Sequence, residues 1–490
     1  MGVALLLSLP ATTLAGDFSY TTNSPDTNAI TITRYTGLGG TVQIPDSIDG
    51  KIVAGLKDNA FYDYANPVNV TVPASLTHIE SLAFYHCSGL TAIHVDPSNT
   101  VYSSMDGVLF DKGQTLLFQY PGGKAGEYVI PDSVTEIKEW GFSFCGGLTR
   151  LGIGQNLILI GTGALTPCTN LTEIAVNDSN SVYCSVDGVL LDTGLTTLLQ
   201  CPGGRTGSYA IPSGIATIGD RAFAYCIGMS HVTIPGSITN IGLGAFYFCG
   251  LTNVVIPEGV VFIGNNAFES CLNLLSANLP DTLLNVGSRL FSECGNLTDL
   301  VIGDGVIDIG KFAFAHCTSL TNVVIGDSVR DIGDAAFIFC TSLERIVMPE
   351  SVVEIGNGAF TWCDSLSRVY FMGNAPGISM LLPFHDPPMI YYLPGTTGWD
   401  SLLWDPPFTT PTTLWLPEAT ADGSFGVQGN QFGFNVGWAK GKTVVVEGCT
   451  NMADPVWVSI QTNTLADGPD YFGDSEWTNH AGRYYRLREP

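Results

Sequence analysis

The sequence predicts a mainly β repeat solenoid of short parallel strands and helical turns, followed by a small antiparallel β-sandwich. Three observations lead there. Ten cysteines recur along the chain, most of them 23 residues apart. Each interval between them repeats one apolar pattern. After Trp399 that pattern stops, and short alternating segments replace it.

The chain begins "MGVALLLSLPATTLAGD", an apolar stretch ending in the small-residue pattern Thr13-Leu14-Ala15. This reads as an export signal over residues 1–15, although it lacks the usual basic start. A lead-in, 16–34, precedes the array expected over 35–395. No later stretch supplies the roughly 18 unbroken apolar residues of a membrane span.

The unit is clearest in "LTNVVIGDSVRDIGDAAFIFCTS", Leu320 to Ser342. Leu320, Val323 and Ile325 alternate toward one face, as in a strand with one buried side. Gly326-Asp327 makes a turn, and Val329 to Ile332 forms a second short strand stopped by Gly333. Ala336, Phe337 and Cys340 then fall at the spacing of a helical turn. A 23-residue unit cannot bury its own apolar face, but stacked units share a continuous core. About ten coils at ~4.8 Å per step give a rod on the order of 50 Å.

The marker cysteines are Cys87, Cys145, Cys168, Cys226, Cys249, Cys271, Cys294, Cys317, Cys340 and Cys363. Stacked in register, they point the same way, whereas a disulfide needs side chains that face each other. They are therefore expected to be a reduced, buried structural ladder. One thiol per coil among apolar neighbours offers no tetrahedral metal site, and no metal or other cofactor is expected.

Two gaps of 58 residues carry insertions, 102–131 and 183–212, which repeat each other 81 residues apart. Each reads as a β-hairpin budding from the solenoid. In the second, Cys184 and Cys201 lie almost symmetrically about Thr193. An exported protein permits a disulfide between them, and that pairing is an expectation.

Residues 396–411, rich in Pro and Thr, read as a linker. From 412 to 490, "FGFNVGW", "KTVVVEG", "VWVSIQT" and "RYYRLREP" alternate between Gly, Asn and Asp turns, a sandwich pattern.

The unit Leu-x-x-Val-x-Ile, a Pro or Gly, then Val-x-x-Ile-Gly-x-x-Ala-Phe-x-x-Cys resembles the BspA-like leucine-rich-repeat family of bacterial surface proteins. "YTGLGGTVQIPDSIDGKIVAGLKDNAF" is similar to that family's first coil, and "VYFMGNAP" with "YYLPGTTGW" to its last. Around Trp438, Val446-Glu447, Thr450-Asn451, Trp457 and Arg483 to Arg486 the tail resembles a fibronectin-type-III-like module. The resemblance implies a secreted or cell-surface binding or adhesion protein rather than an enzyme.

The residues agree. The chain has 19 basic and 45 acidic side chains and a net charge of −26, which repels nucleic acid and anionic lipid. No G-x-S-x-G, H-E-x-x-H, Walker loop or C-x-x-C is present. Recurrent aspartates such as Asp304 and Asp327 read as turn residues, too few for a calcium shell.

Residues between the inward Leu, Val and Ile face the concave sheet. One column there contains Asn322, Arg345 and Arg368; the next contains Val255, Val301, Val324, Val347 and Tyr370. Valine suits an exposed strand for reasons of propensity alone. An apolar stripe edged by arginines is also the make-up of a patch for a protein or glycoprotein partner. The alternative is a structural spacer of the cell envelope that presents the C-terminal module.

Overall fold

The computed structural model describes residues 15–62, 67–378, 384, 388–399, 412–420, 422–429, 431–452, 455–466, 470–480 and 482–490. Residues 1–14 of the expected export signal and residues 400–411 of the expected linker lie outside them.

The repeat forms a β-solenoid. Within one coil, the strand Asn322–Val324 is followed by the two-residue strand Asp331–Ile332, and each pairs in parallel with its counterpart 23 residues away. Along the rod the first kind of strand makes four successive sheets of three, three, six and four strands. That is about sixteen coils, or roughly 75 Å at the strand spacing. The cysteine count undershoots because the two inserted coils and the terminal coils lack the marker.

The third side of each coil is not the expected helical turn. Ala336, Ile338 and Cys340 donate their N–H groups three residues back, to the carbonyls of Gly333, Ala335 and Phe337. The residues between them, Ala335, Phe337 and Phe339, donate to Asn357, Ala359 and Thr361 of the next coil at 2.9, 2.8 and 3.0 Å. A helix would point every N–H along its own axis and leave none for the neighbour. The alternation requires left-handed backbone, and Ala335 and Phe339 have φ of 53° and 61°. Non-glycine residues in this region cost roughly 1–2 kcal/mol each; here the lateral hydrogen bonds offset it.

Inside, the phenylalanines of the repeat form a column. Phe223, Phe246, Phe268, Phe291, Phe314, Phe337 and Phe360 are fully buried. Successive rings lie 4.8 to 5.9 Å apart and within 20° of parallel. Aromatic pairs on their own favour offset or edge contacts; the strand spacing sets this parallel stack.

The two insertions do not bud outward. In the first, Tyr102–Met105 and Val108–Asp111 pair as an antiparallel hairpin, and Leu116–Gln119 adds on to rejoin the parallel array at Glu136–Ile137. Val108, Leu109 and Phe110 are all fully buried. Leu109 packs into the N-terminal core, whereas Val108 and Phe110 pack into the next. The second insertion repeats this, with Leu190 on one side and Val189 and Leu191 on the other. Each hairpin is a transverse partition, so the hydrophobic interior is three cores.

The turn of the first hairpin, at Asp106-Gly107, abuts the strand Ala92–Val95, where Ile93 donates to the Gly107 carbonyl at 2.8 Å. A Cβ on Gly107 would lie 2.8 Å from that of Ala92, so only glycine fits. A buried asparagine fixes the entrance to each partition. Asn99 donates to the carbonyls of Pro73 and Leu76 and accepts from the N–H groups of Val101 and Tyr102. Asn180 does the same with Gly154, Leu157, Val182 and Tyr183.

The expected Cys184–Cys201 pairing is corrected by this register. Cys184 lies across from Leu191, because the turn is at Asp187-Gly188 rather than at Thr193. Cys201 follows the third strand, on the far side of the second. Both thiols are free.

At the N-terminal end the lead-in belongs to the fold. Ala29–Tyr35 runs parallel to Lys51–Leu56, and Phe18, Ile30 and Ile32 enter the first core. At the other end Thr412–Leu414 pairs in parallel with Met389–Tyr392, continuing the solenoid sheet rather than opening the sandwich. Beyond it Glu418–Thr420, Gly426–Gln428 and Asp470–Asp474 pair with Gln431–Gly437, and Thr443–Cys449 pairs with Val458–Thr464 and Tyr484–Arg488. These two antiparallel sheets close over Phe434, Val436, Val444, Val446 and Phe472.

Candidate binding face

The inward side chains of the solenoid sheet are Val254, Ala277, Leu300, Ile346 and Val369, all buried. Between them the outward columns stand in register, Val301 beside Val324 and Val347 beside Tyr370. Val255 is 71% exposed, Val324 49%, and Val301 and Val347 39% each. Asn322, Arg345 and Arg368 form the neighbouring exposed column. The polar column is edged by threonines: the hydroxyls of Thr298 and Thr321 donate to the carbonyls of Leu275 and Thr298 one coil back.

The valine column ends in aromatic rings. Tyr370 stacks on Tyr391 with centroids 4.7 Å apart, and Trp415 lies 4.8 Å from Tyr370. Arg368 meets the Tyr370 hydroxyl, the first cause of its raised pKa. Sequence reasoning missed Tyr391 and Trp415. Tyr391 was readable as the next member of the column, but Trp415 was not, because residues 400–411 separate it from the repeat. Trp438 of the sandwich donates its indole N–H to the Trp415 carbonyl at 2.9 Å.

The cysteine ladder is buried, and all thirteen cysteines are free. Its thiols reach back one coil. Cys271, Cys294, Cys317, Cys340 and Cys363 approach the carbonyls of Phe246, Phe268, Phe291, Phe314 and Phe337 at 3.1 to 3.3 Å. Cys145 and Cys226 follow the inserted coils, where Tyr120 and Cys201 replace the phenylalanine, and their contacts lengthen to 3.7 and 3.9 Å. Burial pushes the Cys271 and Cys317 thiols up to about 12.

The repeated aspartates serve the backbone. Asp304 donates its N–H to Asp281, and Asp327 donates to Asp304, each to a carboxylate oxygen. Among the described residues no group of three or more His, Cys, Asp and Glu is placed to hold a metal ion. Also among them, no helix is long and apolar enough to cross a membrane.

A separate cavity of about 790 Å3 opens on the sandwich between Phe432, Phe434, Trp457, Trp477 and Tyr485. Arg486 covers Trp457 at 4.5 Å. Trp457 and Tyr485 thus line a concavity, while the side chain of Glu447 is held between Arg486 and Arg488.

A profile described as the BspA type leucine rich repeat region, in six copies, matches residues 41–110, 122–188, 205–310 and 285–380, well over half of the chain. Among solved structures, a leucine-rich repeat protein from Eubacterium ventriosum is 24% identical, with a TM-score of 0.53 over 70% of this chain and 94% of that one. Another, from Bacteroides ovatus, is 22% identical, with a TM-score of 0.45 over 81% of this chain and 98% of that one. No curated protein matches the chain. The first likeness supports the same solenoid fold.

Proposed function

The chain belongs to the BspA-type leucine-rich repeat family, and from that premise we propose that it is an exported surface protein that grips a protein or glycoprotein through its solenoid sheet. The observation that carries the reading is the exposed valine column, Val255, Val301, Val324 and Val347, edged by Arg345 and Arg368 and closed by Tyr370. An apolar centre with arginines and aromatics at its margin is the composition of interface hot spots. On an acidic chain the two arginines favour a partner surface that is itself polar or negative. The apolar leader-like start supports export. We read the C-terminal sandwich as a fibronectin-type-III-like module that the array presents.

The test is the double substitution Val324→Glu and Val347→Glu. Both side chains lie outside the core, so the unfolding midpoint should hardly move. Affinity for a partner captured from envelope or host surface fractions should fall at least tenfold, about 1.4 kcal/mol. Intact folding with undiminished binding would remove the sheet as the site and leave the C-terminal sandwich as the leading candidate.

A further inference from the structure

A cavity of about 300 Å3 lies on the turn side of the coils, away from the valine column. Tyr85, Trp140, Arg221, Tyr225, Tyr247 and Glu269 define it. Trp140 and Arg221 occupy equivalent positions in the two copies of the 81-residue repeat, each with left-handed backbone at φ 61° and 57°. They are several coils apart, yet the Arg221 guanidinium sits 5.2 Å from the Trp140 ring centre.

Two features allow this contact. One coil after Trp140 stands Gly163, where a Cβ would come within 2.5 Å of the indole; the ring therefore lies down over bare backbone. The next coil is the inserted one, whose turn side is cut to Pro202-Gly203-Gly204. The chain is thin at this point, and flanking side chains reach across. Tyr85 meets Trp140 edge to face at 6.0 Å, and Tyr225 meets Tyr247 at 5.5 Å.

The polar groups have a definite arrangement. Glu269 is 8% exposed and is held by Asn266 and, at 3.8 Å, by Arg289. Among the described residues no carboxylate forms an ion pair with Arg221, in a chain where acids outnumber bases 45 to 19. A guanidinium held over a ring without a carboxylate partner keeps N–H donors for a further ligand. Burial pushes the Tyr225 hydroxyl up to about 12 and raises that of Tyr85, so both remain neutral donors.

We propose that this notch binds a sugar ring of a glycan. With Trp140 covered by Arg221 and by the backbone at Gly163, the tyrosine rings of the lining supply the apolar surface for the C–H side of a pyranose, Glu269 and Asn266 pair with its hydroxyls, and Arg221 pairs with hydroxyls or a ring carboxylate. The volume is at the small end of ligand pockets and suits a sugar unit rather than a peptide. A cationic ligand does not fit, because Arg221 already occupies the cation position over Trp140.

The experiment is a glycan array of neutral, uronate-bearing and sialylated oligosaccharides probed with the full chain, followed by calorimetry with cellotetraose, tetragalacturonate and the strongest array ligand. At least one sugar should bind saturably. Arg221→Ala and Tyr225→Ala should each weaken it at least tenfold, with unfolding midpoints showing that both variants are folded. Arg221→Lys, which keeps the charge but loses the planar fork, should weaken it as well. The valine double variant should bind the sugar normally, which separates this site from the sheet face. Equal loss of uronate and neutral sugars assigns Arg221 to hydroxyls; selective loss of the uronate assigns it to the carboxylate. No binding across the array, or binding unmoved by the folded Arg221 and Tyr225 variants, overturns the proposal.

Discussion

The thiol of Cys363 lies 3.1 Å from the carbonyl oxygen of Phe337 in the preceding coil, an oxygen that also accepts the N–H of Cys340. Each turn carbonyl thus serves its own coil through an amide and the next through a thiol, which is why a cysteine, rather than any small apolar residue, suits the position.

Cys340→Ala is expected to cost about 1–3 kcal/mol, mainly through lost packing. The Phe314 carbonyl would still hold the Cys317 N–H, so no acceptor is orphaned. Cys340→Ser should cost more, because the shorter C–O bond pulls the hydroxyl away from an oxygen already 3.3 Å from the sulfur. Urea unfolding of the three proteins should rank wild type above alanine and alanine above serine.

Alkaline pH should destabilise the solenoid. Burial raises the thiols of Cys271 and Cys317 from 9.0 to about 12. Below 9 both folded and unfolded thiols are protonated and nothing is lost. Between 9 and 12 the unfolded chain releases protons that the folded chain retains, so stability falls as pH rises. Unfolding midpoints from pH 7 to 11 should decline only above about pH 9. A flat profile would contradict thiols buried in the folded state.

Asn180→Ala removes two donated and two accepted hydrogen bonds in a buried site. With about 1–3 kcal/mol for each buried group left unpaired, the loss should reach at least about 3 kcal/mol. Asn180→Asp should be no better at neutral pH, since a carboxylate cannot donate to the Gly154 and Leu157 carbonyls. Calorimetry of the two variants, with Asn99→Ala as a parallel case, measures this.

The repeat period, the inward and outward columns and the reduced cysteine ladder were legible in the sequence, because stacking in register makes each column a sum of identical positions. The turn side was not. Left-handed backbone is carried by Trp140, Arg221, Asn266, Ser270 and Glu293 as readily as by glycine, so residue type gives no signal. The partitions did leave one: Val108-Leu109-Phe110 and Val189-Leu190-Leu191 are unbroken apolar runs, as a strand buried on both faces requires, where a budding hairpin would alternate. Asn99 and Asn180 were visible only as an 81-residue repeat. The meeting of Arg221 with Trp140 depends on Gly163 beneath the ring, a contact no linear pattern encodes.

Acid should weaken the sandwich. The carboxylate of Glu447 is held below its ordinary 4.5 by hydrogen bonds from Arg488 and then Arg486. A lowered folded pKa contributes stability above 4.5 that disappears as the pH falls through the folded value. Urea unfolding should therefore show the stability of the sandwich declining as pH falls below about 4.5, and Glu447→Gln should flatten that limb of the profile. An unchanged acid limb in the glutamine variant would show that the ion pairs do not set it.

A rod built of identical rungs has a mechanical weakness, since force applied to one end can unzip it rung by rung with nothing to stop the run. The two transverse hairpins act as bulkheads against this. Because Leu109 and Phe110 plug different compartments from adjacent positions on one strand, a peeling front must extract a fully buried hairpin before it can pass. Under tension the three compartments would yield as separate events, and damage to one would leave the others folded.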